Sequence, residues 1–191
     1  RMKANRQKVM MMVIMLPMWM NFLLRTYAWM SLLERNGLIN KFLGMFGVGP
    51  FNMINTNGAV ILGMVYNYLP FMILPLYSTM VKIDHSLIEA AQDLGSNLYH
   101  VLTKVLIPLS IPGITTGITM VFVPSISTFY ISQKLGGNKT LLIGDAIEYL
   151  FNTDPHYYNV ASTLSLILMV MILVCTLIMN KFSDDEEAVV V

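Results

Sequence analysis

Residues 160–179 read VASTLSLILMVMILVCTLIM, twenty positions without a single charge. A hydrocarbon core takes roughly 20 helical residues to cross, so this stretch alone points to lipid as the solvent of part of the chain. Working outward, three more apolar runs have the same character: 9–33 (VMMMVIMLPMWMNFLLRTYAWMSLL), 59–80 and 106–131. A chain surrounded by lipid must satisfy its backbone hydrogen bonds within each segment, which makes each run a helix. The strands of a membrane β-barrel alternate in polarity, and these runs do not.

Composition agrees. Of 191 residues 55% are hydrophobic and 12% charged, about half the charged fraction of a soluble domain. Mean hydropathy is +0.63. Disorder is excluded by the same figures, and a net charge of +1 excludes a nucleic-acid binder. One cysteine, Cys175, rules out a disulfide framework and a Cys-based zinc site. The expected fold is an all-α integral membrane protein, a single domain over residues 1–191 with about four transmembrane helices.

Lys and Arg set the orientation. With the amino end inside, the cytoplasmic face carries Arg1, Lys3, Arg6, Lys8, Lys82, Lys104 and Lys181, against Arg35, Lys41, Lys134 and Lys139 outside, with Arg25 within the first span. Both ends and the loop 81–105 are therefore expected to be cytoplasmic. The acidic run Asp184 to Glu187 contributes little to topology and reads as a solvated tail. The first run is no signal peptide: it is too long, lacks a small-residue cleavage site, and contains Arg25 and Trp29. The chain opens on Arg1 with a basic stretch leading straight into a span, the expectation being a longer protein whose amino-terminal part is missing.

The loop after the second span and the entry to the third read KIDHSLIEAAQDLGSNLYHVLTKVLIPLSIPG (82–113). Ser86 with Glu89 three residues on is a capping box, predicting a helix start there. Leu87, Ala91 and Leu94 share one side at spacings of four and three. Gly95 suits the left-handed position that ends a helix, and Ser96 is placed to cap a second helix through Leu98, Val101 and Leu102. Pro108 and Pro112 are expected to kink or restart the chain as it enters the third span. A short amphipathic helix with Ala at its centre admits close approach by a partner's groove; an ordinary interfacial helix lying on headgroups has the same pattern.

The spacing here resembles the EAA motif of ABC importer permeases: Glu89-Ala90-Ala91, three residues, Gly95, nine residues, then Val105-Leu106-Ile107-Pro108. LPMWMNFLLRTYAW (16–29), the segment Leu69-Pro70-Phe71 to Pro75-Leu76-Tyr77-Ser78, and LGGNKTLLIGDAI (135–147) are similar to the spermidine/putrescine importer permeases, and of the two paired permeases to the B-type. The resemblance implies a type I ABC importer permease fold in which this chain matches the last four of six spans. It also implies that 81–105 is a coupling loop, with Glu89, Ala90, Ala91, Gly95 and Pro108 engaging a cytoplasmic ATPase. The further partners implied are a second permease subunit and an extracytoplasmic binding protein, in the plasma (inner) membrane of a bacterium, with a polyamine as cargo.

Polar groups in or near the spans are candidates for the substrate path: Asn21, Asn67, Ser125 and Thr128, with Ser127 and Arg25 also weighed. For the Asn and Ser groups internal packing is the plainer reading, while Arg25 reads equally as a path residue or a snorkelling side chain. In the outer loop Asp145, Glu148 and Asp154, with Tyr149, Phe151, Tyr157 and Tyr158, offer ion pairing and cation–π contact to an ammonium chain; a solvated loop with interfacial tyrosines is the plainer reading. His85, His100 and His156 lack metal spacing, and the 17 Met residues are interleaved with Leu and Ile as packing residues. No Walker A, GxSxG or HExxH sequence occurs, so no catalytic residue, metal or cofactor is expected and the chain should not hydrolyse ATP itself. Competing readings are a permease for another solute such as iron or thiamine, a non-transporting remnant, and, more distantly, an intramembrane enzyme.

Overall fold

The computed structural model describes residues 4–137 and 141–190, with backbone alone for 182–190. Arg1, Lys3 and Lys139, three of the charges that set the orientation, lie outside the described residues, as do 138–140 of the LGGNKTLLIGDAI stretch. The acidic side chains Asp184 to Glu187 are likewise not described. Among the described residues every regular element is helical: α1 (Ala4–Met15), α2 (Phe22–Leu33), α3 (Leu38–Gly44), α4 (Asn57–Lys82), α5 (His85–Asp93), α6 (Leu98–Val101), α7 (Ile107–Ser127), α8 (Ile143–Thr153) and α9 (Tyr158–Val190).

Among the described residues three helical stretches are long and apolar enough to cross a membrane: Asn57–Lys82, Leu98–Ser127 and Pro155–Lys181. The first apolar run, read from the sequence as one span over 9–33, is two helices meeting at 95°. A short 3₁₀ turn, Leu16–Trp19, separates them, and Met20 and Asn21 that follow are extended. Pro17 has no N–H to continue α1. Asn21 then restarts the helix, its Oδ1 accepting from the Leu23 N–H at 2.8 Å.

Two compact units make up the chain, Arg1–Pro70 with Pro124–Ser165, and Phe71–Val123 with Leu166–Val191. In the first, Leu33, Ala59, Val60, Ile131 and Leu135 form the buried core, with Phe22, Trp29, Met30 and Tyr68 packed against it. Gly63 lets α4 close on this core, since a Cβ there would collide with Leu135 Cδ1. Asn40, buried, clamps the connection after α2: its Nδ2 donates to the Glu34 and Phe51 carbonyls at 3.1 and 2.8 Å, and its Oδ1 accepts from Phe51 N–H at 2.9 Å. Tyr68 Oη donates to the Pro124 carbonyl at 3.1 Å.

In the second unit α7 packs on the later half of α4 through Gly113 and Gly117. A Cβ at Gly113 would press on Thr79 and lie 3.0 Å from the Pro75 carbonyl oxygen; at Gly117 it would lie 2.7 Å from Met72 Sδ. Small residues four apart are how helices approach closely in lipid, where apolar burial gives little drive. Nothing in the span's hydropathy reveals this contact; the Gly-x-x-x-Gly spacing does. On α9 most apolar side chains are exposed, as suits a surface solvated by lipid.

Candidate functional site

The loop between α4 and α7 builds a helix–turn–helix from local rules. The capping box expected at Ser86 does not form. Asp84 is the cap, its carboxylate accepting from the Ser86 N–H at 3.0 Å, and α5 begins one residue earlier, at His85. Asp and Ser cap about equally well; here Asp84 holds the position, and Glu89 Oε1 instead meets His85 Nδ1 at 2.9 Å. The hydrogen bonds from Ser86 hold the Asp84 carboxyl below its ordinary range.

The end of α5 follows expectation. Gly95 has φ +80°; its N–H donates to the Gln92 carbonyl at 2.8 Å and the Ser96 N–H to the Ala91 carbonyl at 3.1 Å. These two bonds make a Schellman turn, closing the orphan carbonyls of the helix. Ser96 is thereby used as backbone, and Asn97 rather than Ser96 caps α6, its Oδ1 accepting from the His100 N–H at 2.9 Å.

From α6 the chain widens into a π-helical turn, Leu102–Leu106, and the Ile107 N–H bonds back to the Leu102 carbonyl. Pro108 follows at once. The expected kink takes the form of this wide turn, after which α7 runs on through Pro112. Within the loop Val101 is buried, while Leu94 (87% exposed), Leu98 and Tyr99 stand in solvent beside the exposed Glu89 and Ala90 and the half-buried Ala91.

The candidate path residues all fall in the first compact unit. Asn21 is exposed and serves as the α2 cap. Asn67 is 3% exposed; its Nδ2 donates to the Gly63 carbonyl at 2.8 Å, while its Oδ1 is buried with no partner. Two donors of Arg25, Nε and Nη1, are in the same condition. Ser125 is half-buried in α7 and Thr128, just beyond it, is buried; the Thr128 carbonyl lies against Gly144.

Asp145 and Glu148 are brought together one turn apart on α8, facing the π-helical segment Ser132–Gly136. Asp145 is 2% exposed. Its Oδ2 accepts from the Leu142 N–H at 2.8 Å, capping α8, and its Oδ1 lies 2.9 Å from Ser132 Oγ. That hydroxyl is also 2.8 Å from the Phe129 carbonyl, and its one proton serves one acceptor at a time. Glu148 is more open, accepting from Gln133 Nε2 and from Asn152 Nδ2. Tyr149, Phe151, Tyr157 and Tyr158 are exposed, with the Phe151 and Tyr158 rings 5.9 Å apart.

Sequence reasoning missed one cluster in this unit. Lys134 Nζ lies 5.7 Å from the Tyr27 ring centroid and 5.6 Å from that of Tyr130. The two rings meet edge to face at 84°. Tyr27 and Lys134 are more than a hundred positions apart, and no spacing rule links them.

Apolar helices long enough to span a membrane, with an exposed helix–turn–helix between two of them, define a class, the multi-pass all-helical membrane protein. Residues 2–184 match the family described as "Binding-protein-dependent transport system inner membrane component", and the chain belongs to that family. It is 38% identical over 178 residues to the "Spermidine/putrescine transport system permease protein PotB" of Haemophilus influenzae, covering 91% of this chain and 62% of the relative. With the protein of the same name from Escherichia coli K12 it shares 40% over 167 residues, covering 85% and 61%. The chain thus spans about three fifths of the length of these relatives. The fold matches that of a bacterial ABC transporter "involved in the import of the acidic polysaccharide alginate", with TM-score 0.73 over 97% of this chain and 68% of that one at 16% identity.

Proposed function

We propose that this chain is a membrane-spanning permease subunit of an ATP-driven importer and contributes to the translocation path for a polyamine, spermidine or putrescine. Coupling runs through the 81–105 loop to a cytoplasmic ATPase, with Glu89, Ala90, Ala91, Gly95 and Pro108 as its elements. A second permease completes the path, and an extracytoplasmic binding protein delivers the cargo. The chain supplies no ATPase site of its own.

One observation carries this reading: a solvent-exposed helix ended by a left-handed glycine, standing between two spans and presenting small residues beside free apolar ones. That is a shape made to be covered by a partner. Support for the cargo comes from the relatives, two of which are named for spermidine and putrescine. Asn21, Asn67, Ser125, Thr128, Asp145 and Glu148 remain the proposed path residues. Of the two outer carboxylates, Glu148 is the better placed to meet a cation, because both oxygens of Asp145 are engaged inside the fold.

The test is ATP-dependent uptake of labelled spermidine by the intact transporter in proteoliposomes, with its binding protein supplied. Uptake competed by unlabelled putrescine and spermidine is expected. Uptake of another solute that ignores both would remove the polyamine assignment.

A further inference from the structure

The Lys134 cluster has a chemical feature that the fold does not require. A lysine side chain is four methylenes ending in an ammonium, the same group that ends a polyamine. Here that group is held between two tyrosine rings set nearly perpendicular, with centroids 6.2 Å apart, and it lies within cation–π range of both. Among the described residues it forms no ion pair with a carboxylate. Tyr27 comes from α2 and Tyr130 from the helical turn that leads into Ser132–Gly136, and Phe22 packs on Tyr130 at 6.0 Å, so the walls are fixed by the fold. Tyr27 keeps 44% of its surface exposed and Lys134 is only partly covered. The ammonium can therefore withdraw to solvent on its flexible stem. The backbone that carries it is the π-helical turn Ser132–Gly136, whose neighbouring side chains Ser132 and Gln133 are tied to α8 through Asp145 and Glu148. Lys134, in the same turn, is held by Tyr27 and Tyr130 and not by α8.

We propose that Lys134 is a tethered occupant of an alkylammonium subsite walled by Tyr27 and Tyr130, and that a cargo amine enters the subsite by displacing it. This rests on the polyamine reading above. A tethered group competes at an effective concentration on the order of millimolar, so Lys134 lowers the apparent affinity for cargo and favours release over retention. It is a specificity-setting residue, acting by occupying the place of the substrate's own ammonium.

The experiment measures KM and maximal rate of spermidine uptake by the intact transporter carrying Lys134→Met, Lys134→Arg, Tyr130→Leu, and Tyr130→Leu with Lys134→Met. Assembly of each variant is checked by co-purification of the ATPase. Lys134→Met empties the subsite, and KM is expected to fall about two- to fivefold, the ratio that corresponds to one exposed cation–π contact. Lys134→Arg keeps a cation there and should match the parent. In the Tyr130→Leu background the Lys134→Met effect should vanish, because the shared subsite is gone. An unchanged or raised KM in assembled Lys134→Met, or the same fall with and without Tyr130, overturns the proposal while parental spermidine uptake leaves the polyamine reading standing. Absence of spermidine uptake by the parent overturns both.

Discussion

Gly95 is the sharpest single-residue probe because its constraint is conformational. Its φ is +80° and nothing lies within 4 Å of an added Cβ, so a substitution there meets backbone strain and no crowding. A left-handed residue with a side chain costs roughly 1–2 kcal/mol, and a β-branched one sits at the unfavourable end. Gly95→Val should break the Schellman turn and re-aim α6, whereas Gly95→Asn, tolerant of that region, should retain it. Co-purification of the ATPase and spermidine uptake are expected to fall together in Gly95→Val and in Ala91→Arg, with membrane insertion unchanged. If both variants keep the ATPase and the full rate, the coupling reading is wrong. Asp145 offers a contrasting test. Removing the buried Asp145 carboxylate takes the acceptor from the Leu142 N–H, while Ser132 Oγ can still donate to the Phe129 carbonyl, and a donor left unsatisfied costs about 1–3 kcal/mol. Asp145→Ala should therefore lower thermal stability in detergent, while Glu148→Gln, at a more open position, should leave stability unchanged and weaken uptake. A stable Asp145→Ala with uptake lost would reverse these roles.

At the scale of elements, the helix ends and contacts divide into what a sequence rule reaches and what it does not. The left-handed glycine was legible because one residue type solves one backbone problem. The caps at Asp84 and Asn97 were misplaced by one or two positions, since Ser, Asp and Asn stand side by side and only geometry chooses among them. The break in 9–33 was written in Pro17 and Asn21, but apolarity averaged over the run conceals it. Two predictions belong here. Gly113→Val forces a branched side chain against Thr79 and the Pro75 carbonyl, and overpacking of this kind costs about 1–3 kcal/mol. A lower melting temperature for Gly113→Val is expected, with Gly44→Val, where nothing lies within 4 Å, as the unaffected control. The second concerns Asp84, whose carboxyl is held below its ordinary range by the Ser86 N–H. A depressed carboxylate stabilises the folded form at pH above its unfolded value, near 3.9, and that contribution fades as pH falls through the lower folded value. Amides of α5 should exchange faster in Asp84→Ala than in the parent at neutral pH, with the difference disappearing in strong acid. Equal exchange at pH 7 would show that the cap contributes nothing.

At the scale of the whole molecule, membrane class was legible because hydropathy sums over every residue, while side-chain juxtapositions such as Lys134 with Tyr27 depend on how distant segments fold back. Topology lies between these cases, being set by a few charges and by how many times the chain crosses. We propose, from the described cations Arg6, Lys8, Lys82, Lys104 and Lys181 against Arg35, Lys41 and Lys134, that α5 and both ends are cytoplasmic, and the 95° bend in the first apolar run makes the parity worth testing directly. If the bent pair crosses once, Asn5 and Gln92 lie on the same face; if it enters and leaves on one side, they lie on opposite faces. With Cys175 replaced, single cysteines at positions 5, 92 and 152 distinguish the two. A membrane-impermeant thiol reagent added to intact cells should label Asn152→Cys and spare both Asn5→Cys and Gln92→Cys, all three reacting once the cells are lysed. Labelling at 5 with protection at 92 makes the bent pair a re-entrant hairpin and leaves the 81–105 loop inside. Labelling at 92 inverts the protein, and no cytoplasmic ATPase could then reach Glu89 to Gly95.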